Sequence, residues 1–173
     1  AAGVAVLDSI AATAAAGNKV TNNTASGNAV GIQVTGGRFH AIGGTLVAEG
    51  NRVFANTGDG ILVQNSAVSG PASSITVRNN RVGINGGAPS GNGGYGIRVE
   101  GSAFTTIDFA NLVRNNVAGG VRVVGGSGTV VGSQVQGRGN TISGNGFGAT
   151  SGHGVQVDEP TAGTTPLSVT IAG

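Results

Sequence analysis

Short runs in which every second residue is apolar recur along the chain, and six of them open on glycine. They are G-V-A-V at 3–6, G-I-Q-V at 31–34, G-I-L-V at 60–63, G-I-R-V at 96–99, G-V-R-V at 120–123 and G-V-Q-V at 154–157. Successive copies lie 28, 29, 36, 24 and 34 residues apart, a mean near 30, which is a solenoid spacing. Between them runs a second series, N-x-[VI]-x-x-N, at 18–23, 51–56, 80–85, 111–116 and 140–145. A third, looser series precedes the Asn motif: L-V-A at 46–48, I-T-V at 75–77, I-D-F at 107–109, V-V at 130–131 and S-V-T-I at 168–171.

Each run is short, rich in β-branched residues and bounded by Gly, Asn, Ser or Pro, which predicts strands rather than helices. Three strands per repeat make each repeat one coil of a helix of strands, and equivalent strands of about six successive coils pair in parallel about 4.8 Å apart. The Gly-led strands then send two aliphatic columns inward, Val4, Ile32, Ile61, Ile97, Val121, Val155 and Val6, Val34, Val63, Val99, Val123, Val157. The column between them, Ala5, Gln33, Leu62, Arg98, Arg122 and Gln156, is mostly polar and faces out. The expected fold class is all-β, a parallel β-helix of three strands per coil forming a single domain over residues 1–173.

Composition narrows the function. Of 173 residues 35 are glycine, against a usual share of about 7%. Hydrophobic residues make up 38% and charged residues 9%, a balance unlike a disordered chain, and Gly does not recur at every third place as in collagen. With no Cys there is no disulfide framework and no thiolate metal site. No apolar stretch approaches the about 20 residues of a membrane span. Nine basic and seven acidic residues give a net charge of +2, and the arginines are dispersed rather than clustered among aromatics, so nucleic acid is not an expected partner.

The order of these pieces, as in S-I-T-V-R-N-N-R-V at 74–82 followed by a loop and G-I-R-V, resembles the right-handed parallel β-helix of the pectate-lyase-like superfamily, over essentially the whole chain. In that family a tight turn often holds an asparagine ladder stacked coil upon coil, and the resemblance assigns Asn18, Asn51, Asn80, Asn111 and Asn140 to it. The physical reason is independent of the family: backbone groups of a buried turn need partners, and an amide supplies both donors and an acceptor. Glycines at strand ends are expected to supply positive-φ corners and close approach.

Enzymes that resemble this fold act on polysaccharides, usually at the outer face of the Gly-led sheet. That places the candidate ligand site at Arg98, Glu100 and Arg122, with Tyr95 and His153 beside them. Arg122 is expected to stack on Arg98, with Glu100 compensating. G-H-G at 152–154 resembles a polygalacturonase motif, but N-T-D, D-D and R-I-K are missing, and Asp59 is expected three coils from His153, about 14 Å away. The seven acids do not recur at one coil position, so neither a metal nor a cofactor is expected, and no catalytic residue is assigned. No G-x-S-x-G elbow occurs.

The sequence opens on A-A-G-V, as after removal of a signal peptide, and neither end shows a capping repeat. Further coils of a longer chain, caps outside it, or head-to-tail stacking of subunits are the open explanations. Two functions are expected in turn: an extracellular or cell-surface β-helix of bacterial type, serving as stalk, adhesin passenger or self-associating filament subunit, and a polysaccharide-active enzyme or glycan-binding module.

Overall fold

The computed structural model of the chain describes residues 1–9, 13–66, 70, 72–147, 152–159 and 168–172. Three sheets of parallel strands wind around one aliphatic core. The first contains Ala2–Leu7, Val30–Thr35, Ile61–Gln64, Tyr95–Glu100, Gly119–Val124 and His153–Asp158, adjacent in chain order. The second contains Lys19–Val20, Ala41–Ile42, Thr76–Arg78, Thr106–Asp108, Thr129–Gly132 and Val169–Ala172. The third contains Thr24–Ser26, Arg52–Phe54, Arg81–Val82, Leu112–Arg114 and Thr141–Ser143. Every neighbour is the equivalent strand of the next coil.

The register of the first sheet is the one the alternation predicts. Ile32 pairs with Ile61 and Ile61 with Ile97, Val34 with Val63 and Val63 with Val99. All six side chains are fully buried, each contributing about 1.5–3 kcal/mol by leaving water. Val20, Ile42, Val77, Ile107 and Val131 close the core from the second sheet, and Ala25, Val53, Val82 and Val113 from the third.

Two asparagine ladders run along the stack. In the first, the Asn23 backbone N–H donates to Asn51 Oδ1 (3.0 Å), Asn51 to Asn80 (3.1 Å), Asn80 to Asn111 (3.0 Å) and Asn111 to Asn140 (3.3 Å). Each Nδ2 donates to the same acceptor and, from Asn51 on, to a carbonyl of the preceding coil, such as Val20 for Asn51 and Ile42 for Asn80. The second ladder links Asn28, Asn56, Asn92, Asn116 and Asn145 in the same way. Asn51, Asn56, Asn80, Asn92, Asn111 and Asn116 are buried, so each amide satisfies backbone groups that water does not reach.

Three expectations are corrected. Asn18 is not a rung: Lys19–Val20 pairs with Ala41–Ile42 in the second sheet, and the first paired asparagines are Asn23 and Asn28 in N-T-A-S-G-N. Ala25 occupies the inward place that Val or Ile fills elsewhere, which disguises the motif. L-V-A at 46–48 is not a strand either. The strand there is Ala41–Ile42, and the chain then turns at Gly43, with φ +77°, into a 3-10 turn at Val47–Glu49. Glu49 closes that turn, its carboxylate accepting from the Leu46 N–H (2.9 Å) and its own N–H donating to the Leu46 carbonyl (3.0 Å). In N-R-V-G-I-N at 80–85 the second asparagine is displaced: Ile84–Asn85 and Ala88–Pro89 form a small antiparallel hairpin, and Asn92 becomes the rung. That insertion accounts for the 36-residue interval between Gly60 and Gly96.

Five of the leading glycines, Gly3, Gly31, Gly60, Gly96 and Gly120, are required by proximity rather than by φ. A Cβ on Gly60 would stand 2.6 Å from the Gly96 carbonyl oxygen and 2.8 Å from Asn92 Nδ2, and one on Gly31 would meet Gly60 and Asn56 at the same distances. The second ladder packs against the glycine column, so the G-I-x-V motif and the second asparagine of each repeat are two sides of one contact.

Candidate functional site

The outer face of the first sheet collects most of its charge in the later coils. Arg98 and Arg122 are register partners, followed by Gln156, while Glu100, Val124 and Asp158 form the next outward column. Arg98 Nη2 donates to Glu100 Oε1 (2.8 Å), and its Nη1 lies 3.7 Å from Asp59 Oδ2. Arg122 Nε donates to Asp158 Oδ2 (2.6 Å), and Gln156 Nε2 holds both oxygens of the same carboxylate at 3.0 Å. The guanidinium of Arg122 sits 5.3 Å from the centroid of the Tyr95 ring, a cation–π contact.

Glycine makes the Tyr95 position possible. Tyr95 precedes the leading Gly96, and its register partner is Gly119, where a Cβ would meet the ring at 2.7 Å. The ring passes over that gap and its hydroxyl donates to Gln156 Oε1 (3.0 Å), two coils on. Tyr95, Arg122, Gln156 and Asp158 therefore form one connected group.

Asp59 anchors the other side. Its carboxylate accepts the Tyr95 backbone N–H (2.8 Å) and is largely buried, with 11% side-chain exposure. Burial pushes its carboxyl above the ordinary aspartate value, against the opposing pull of the Tyr95 N–H and of Arg98 and Arg122. Asp158 moves the other way: hydrogen bonds from Gln156 and then Arg122 hold it below the usual range. The Asp158 hydrogen bond in turn raises the Arg122 guanidinium. These part-exposed ion pairs are worth about 0–1 kcal/mol each. Arg98 Nε is buried with no hydrogen-bond partner.

Arg98, Glu100, Arg122 and Tyr95 thus come together. His153 does not join them: it is exposed, beyond Gly119 in the Tyr95 column, and acts only through space on Asp158. Arg122 pairs with Asp158, not with Glu100, because its own strand carries Val124 where Glu100 stands one coil earlier. Asp59, Gln156 and Asp158 were not among the expected site residues. The signal for Asp158 was available in register, two coils after Glu100 in one column; Asp59 sits in a loop, and only the folded turn brings it to Arg98.

Chemically, the face offers two guanidinium groups, an aromatic ring and three carboxylates, each group in contact with at least one of the others. Among the described residues no group of three or more His, Asp or Glu is placed to hold a metal ion. No helix among them is long and apolar enough to cross a membrane.

Neither a curated protein nor a solved structure matches the chain. A family model described as the right-handed beta helix region matches residues 7–135, about three quarters of the sequence. Its agreement with the three parallel sheets and the asparagine ladders is decisive for kinship: the chain belongs to the right-handed β-helix family.

Proposed function

We propose that this β-helix is structural, an extracellular scaffold whose role is to hold a stiff, elongated surface in place. The observation that carries the reading is the pair of asparagine ladders flanking an uninterrupted aliphatic core: rigidity is built into every coil. The most charged face supports it, because its arginines and carboxylates neutralise each other instead of standing open for a ligand. The absence of Cys and Met leaves no thiol or thioether to oxidise, which suits an extracellular setting.

In its finer form the scaffold is a filament subunit or adhesin stalk that stacks head to tail. The exposed Val157 and Ile171 follow Val123 and Val131, which are buried one coil earlier in the same columns, so another coil laid on them continues the core. Light scattering and negative-stain electron microscopy across a concentration series test this. Rods that lengthen with concentration are expected; a monodisperse particle of constant size overturns the stacking form.

A second reading is favoured by one arrangement. Asp59, with its raised carboxyl, and Glu100 share Arg98, and carboxylates in unlike environments are the pairing acid–base chemistry uses. In that reading the face binds or cleaves a polysaccharide beside Tyr95. Incubation with neutral and uronic-acid glycans, followed by reducing-end and unsaturated-product assays, decides it: turnover abolished by Asp59→Asn replaces the scaffold reading, and no turnover or binding removes the enzyme.

A further inference from the structure

We infer that a groove on the outer face of the third sheet binds a saccharide carrying a sulfate or phosphate ester. The groove, about 320 Å³, runs beside the first asparagine ladder between Asn22 and Asn79 on the turn side and Arg52 and Arg81 on the strand side, with Val47 and Leu112 supplying apolar wall.

Charge singles it out. Arg78 is paired with Asp108, Arg98 with Asp59 and Glu100, and Arg122 with Asp158. Arg52 and Arg81 are register partners on adjacent strands, both exposed, and no carboxylate lies within salt-bridge distance of either among the described residues. Like charges placed directly opposite on a sheet destabilise it, so this pair has a cost that the fold itself does not offset. An anion between the two guanidinium groups removes that cost. A carboxylate presents two oxygens in one plane, whereas a sulfate or phosphate ester presents three terminal oxygens in a tetrahedral array and reaches two side-by-side guanidinium groups at once.

The remaining lining points to a sugar. Asn22 offers its amide to hydroxyl groups and Asn79 its Oδ1, with Asn79 Nδ2 donating to the Gly44 carbonyl (2.7 Å), and Val47, 87% exposed, and Leu112 offer aliphatic surface to C–H faces. The lining has no aromatic ring on which a nucleobase would stack. The face also gives a peptide no free strand edge, since the third-sheet strands of the groove are paired on both sides. A second copy of the chain is poorly suited, because four of the seven acids are engaged by arginines and Glu49 closes its own turn.

The test is an NMR titration of the isotopically labelled chain with glucose 6-sulfate and glucose 6-phosphate separately, and with glucose, inorganic sulfate and glucuronate. Saturable shifts at the Arg52 and Arg81 side-chain N–H and the Asn22 and Asn79 amides are expected with one or both esters, and which ester binds more tightly names the source. Glucose should leave these signals unmoved. The paired substitution Arg52→Gln and Arg81→Gln, with unchanged circular dichroism, should weaken binding at least tenfold, while Arg114→Gln, exposed on the same sheet but outside the groove lining, should not. Inorganic sulfate binding as tightly as the esters overturns the saccharide assignment. Equal binding of glucuronate overturns the ester assignment, and no saturable shift, or an unaffected double variant, overturns the site.

Discussion

Replacing Asn80 by alanine tests whether the ladders hold the fold together. Asn80 Oδ1 accepts from the Asn51 backbone N–H at 3.1 Å and from Asn51 Nδ2 at 2.9 Å, and its own Nδ2 donates to the Ile42 carbonyl at 2.9 Å and to Asn111 Oδ1 at 3.1 Å. The residue is fully buried. Truncation leaves the Asn51 backbone N–H without a partner, at about 1–3 kcal/mol, and removes three further bonds worth about 0.5–1.5 kcal/mol each. The expected loss is about 5 kcal/mol, a large share of the about 5–15 kcal/mol that holds a domain folded. Asn23→Ala is the internal control. That side chain bonds Thr21 and Asn51 in a part-buried setting where water can substitute, so about 1 kcal/mol is expected. Urea unfolding followed by far-ultraviolet circular dichroism should move the Asn80→Ala midpoint well below that of Asn23→Ala. Asn80→Asp should be worse than alanine at neutral pH, since a carboxylate oxygen then faces the Ile42 carbonyl and Asn111 Oδ1. Burial raises the pKa of such a carboxyl, so the penalty should ease as acid protonates it. Equal midpoints for Asn80→Ala and Asn23→Ala would refute the reasoning, because a stack held by its core alone is indifferent to the rung removed.

Three other outcomes follow from packing and protonation. His40 is buried, with Nδ1 accepting the Asn18 N–H (3.2 Å) and Nε2 2.8 Å from the Ser9 carbonyl, so the ring is neutral and its proton is on Nε2. Burial lowers its pKa from 6.5, against the opposing Ser9 bond; the unfolded chain therefore binds the proton first, and stability should fall as pH drops below about 6.5, a slope that His40→Gln should flatten in pH-dependent melts. Ile97→Ala, at a fully buried site, should cost about 2–5 kcal/mol in the same urea assay, and a loss under 1 kcal/mol would contradict the packing described. Gly60→Ala, which meets the Gly96 carbonyl and the Asn92 amide, should destabilise more than Gly27→Ala, where φ is +72° but nothing lies within 4 Å and only about 1–2 kcal/mol of backbone strain applies; the reverse order in thermal melts would refute the close-approach argument.

Much of this architecture was legible because the side-chain alternation of strands and the coil repeat reinforce each other. Val and Ile at fixed offsets from a glycine fix both the inward face and the register, which is why all six Gly-led strands fall where the pattern put them. Legibility failed where the inward side chain shrank or the loop grew. Ala25 hides the Asn23–Asn28 pair, and the hairpin at 84–89 carries the second rung from Asn85 to Asn92. The second ladder was visible as a letter at Asn56, Asn116 and Asn145, but its partner is the next coil's asparagine and the glycine column, contacts made across about 30 residues. The candidate site divides along the same line: Arg98, Glu100 and Arg122 follow from strand register, whereas Asp59 depends on a loop and Tyr95 on the gap left by Gly119.

The ladders also give the molecule a direction. In the rung-to-rung bonds of both, the donor belongs to the earlier coil and the acceptor to the later one, while from Asn51 and Asn56 on the second Nδ2 hydrogen reaches back to a carbonyl of the preceding coil. Each row of rung-to-rung bonds therefore has unlike ends. Among the described residues the Oδ1 atoms of Asn23 and Asn28 receive no donor, and the backbone N–H groups of Asn140 and Asn145 find no acceptor. A coil that adjoins either face, of this chain or another, meets complementary groups only if it keeps the same orientation. Two like faces brought together would oppose acceptor to acceptor or donor to donor, so the asparagines enforce polarity on whatever this β-helix is joined to.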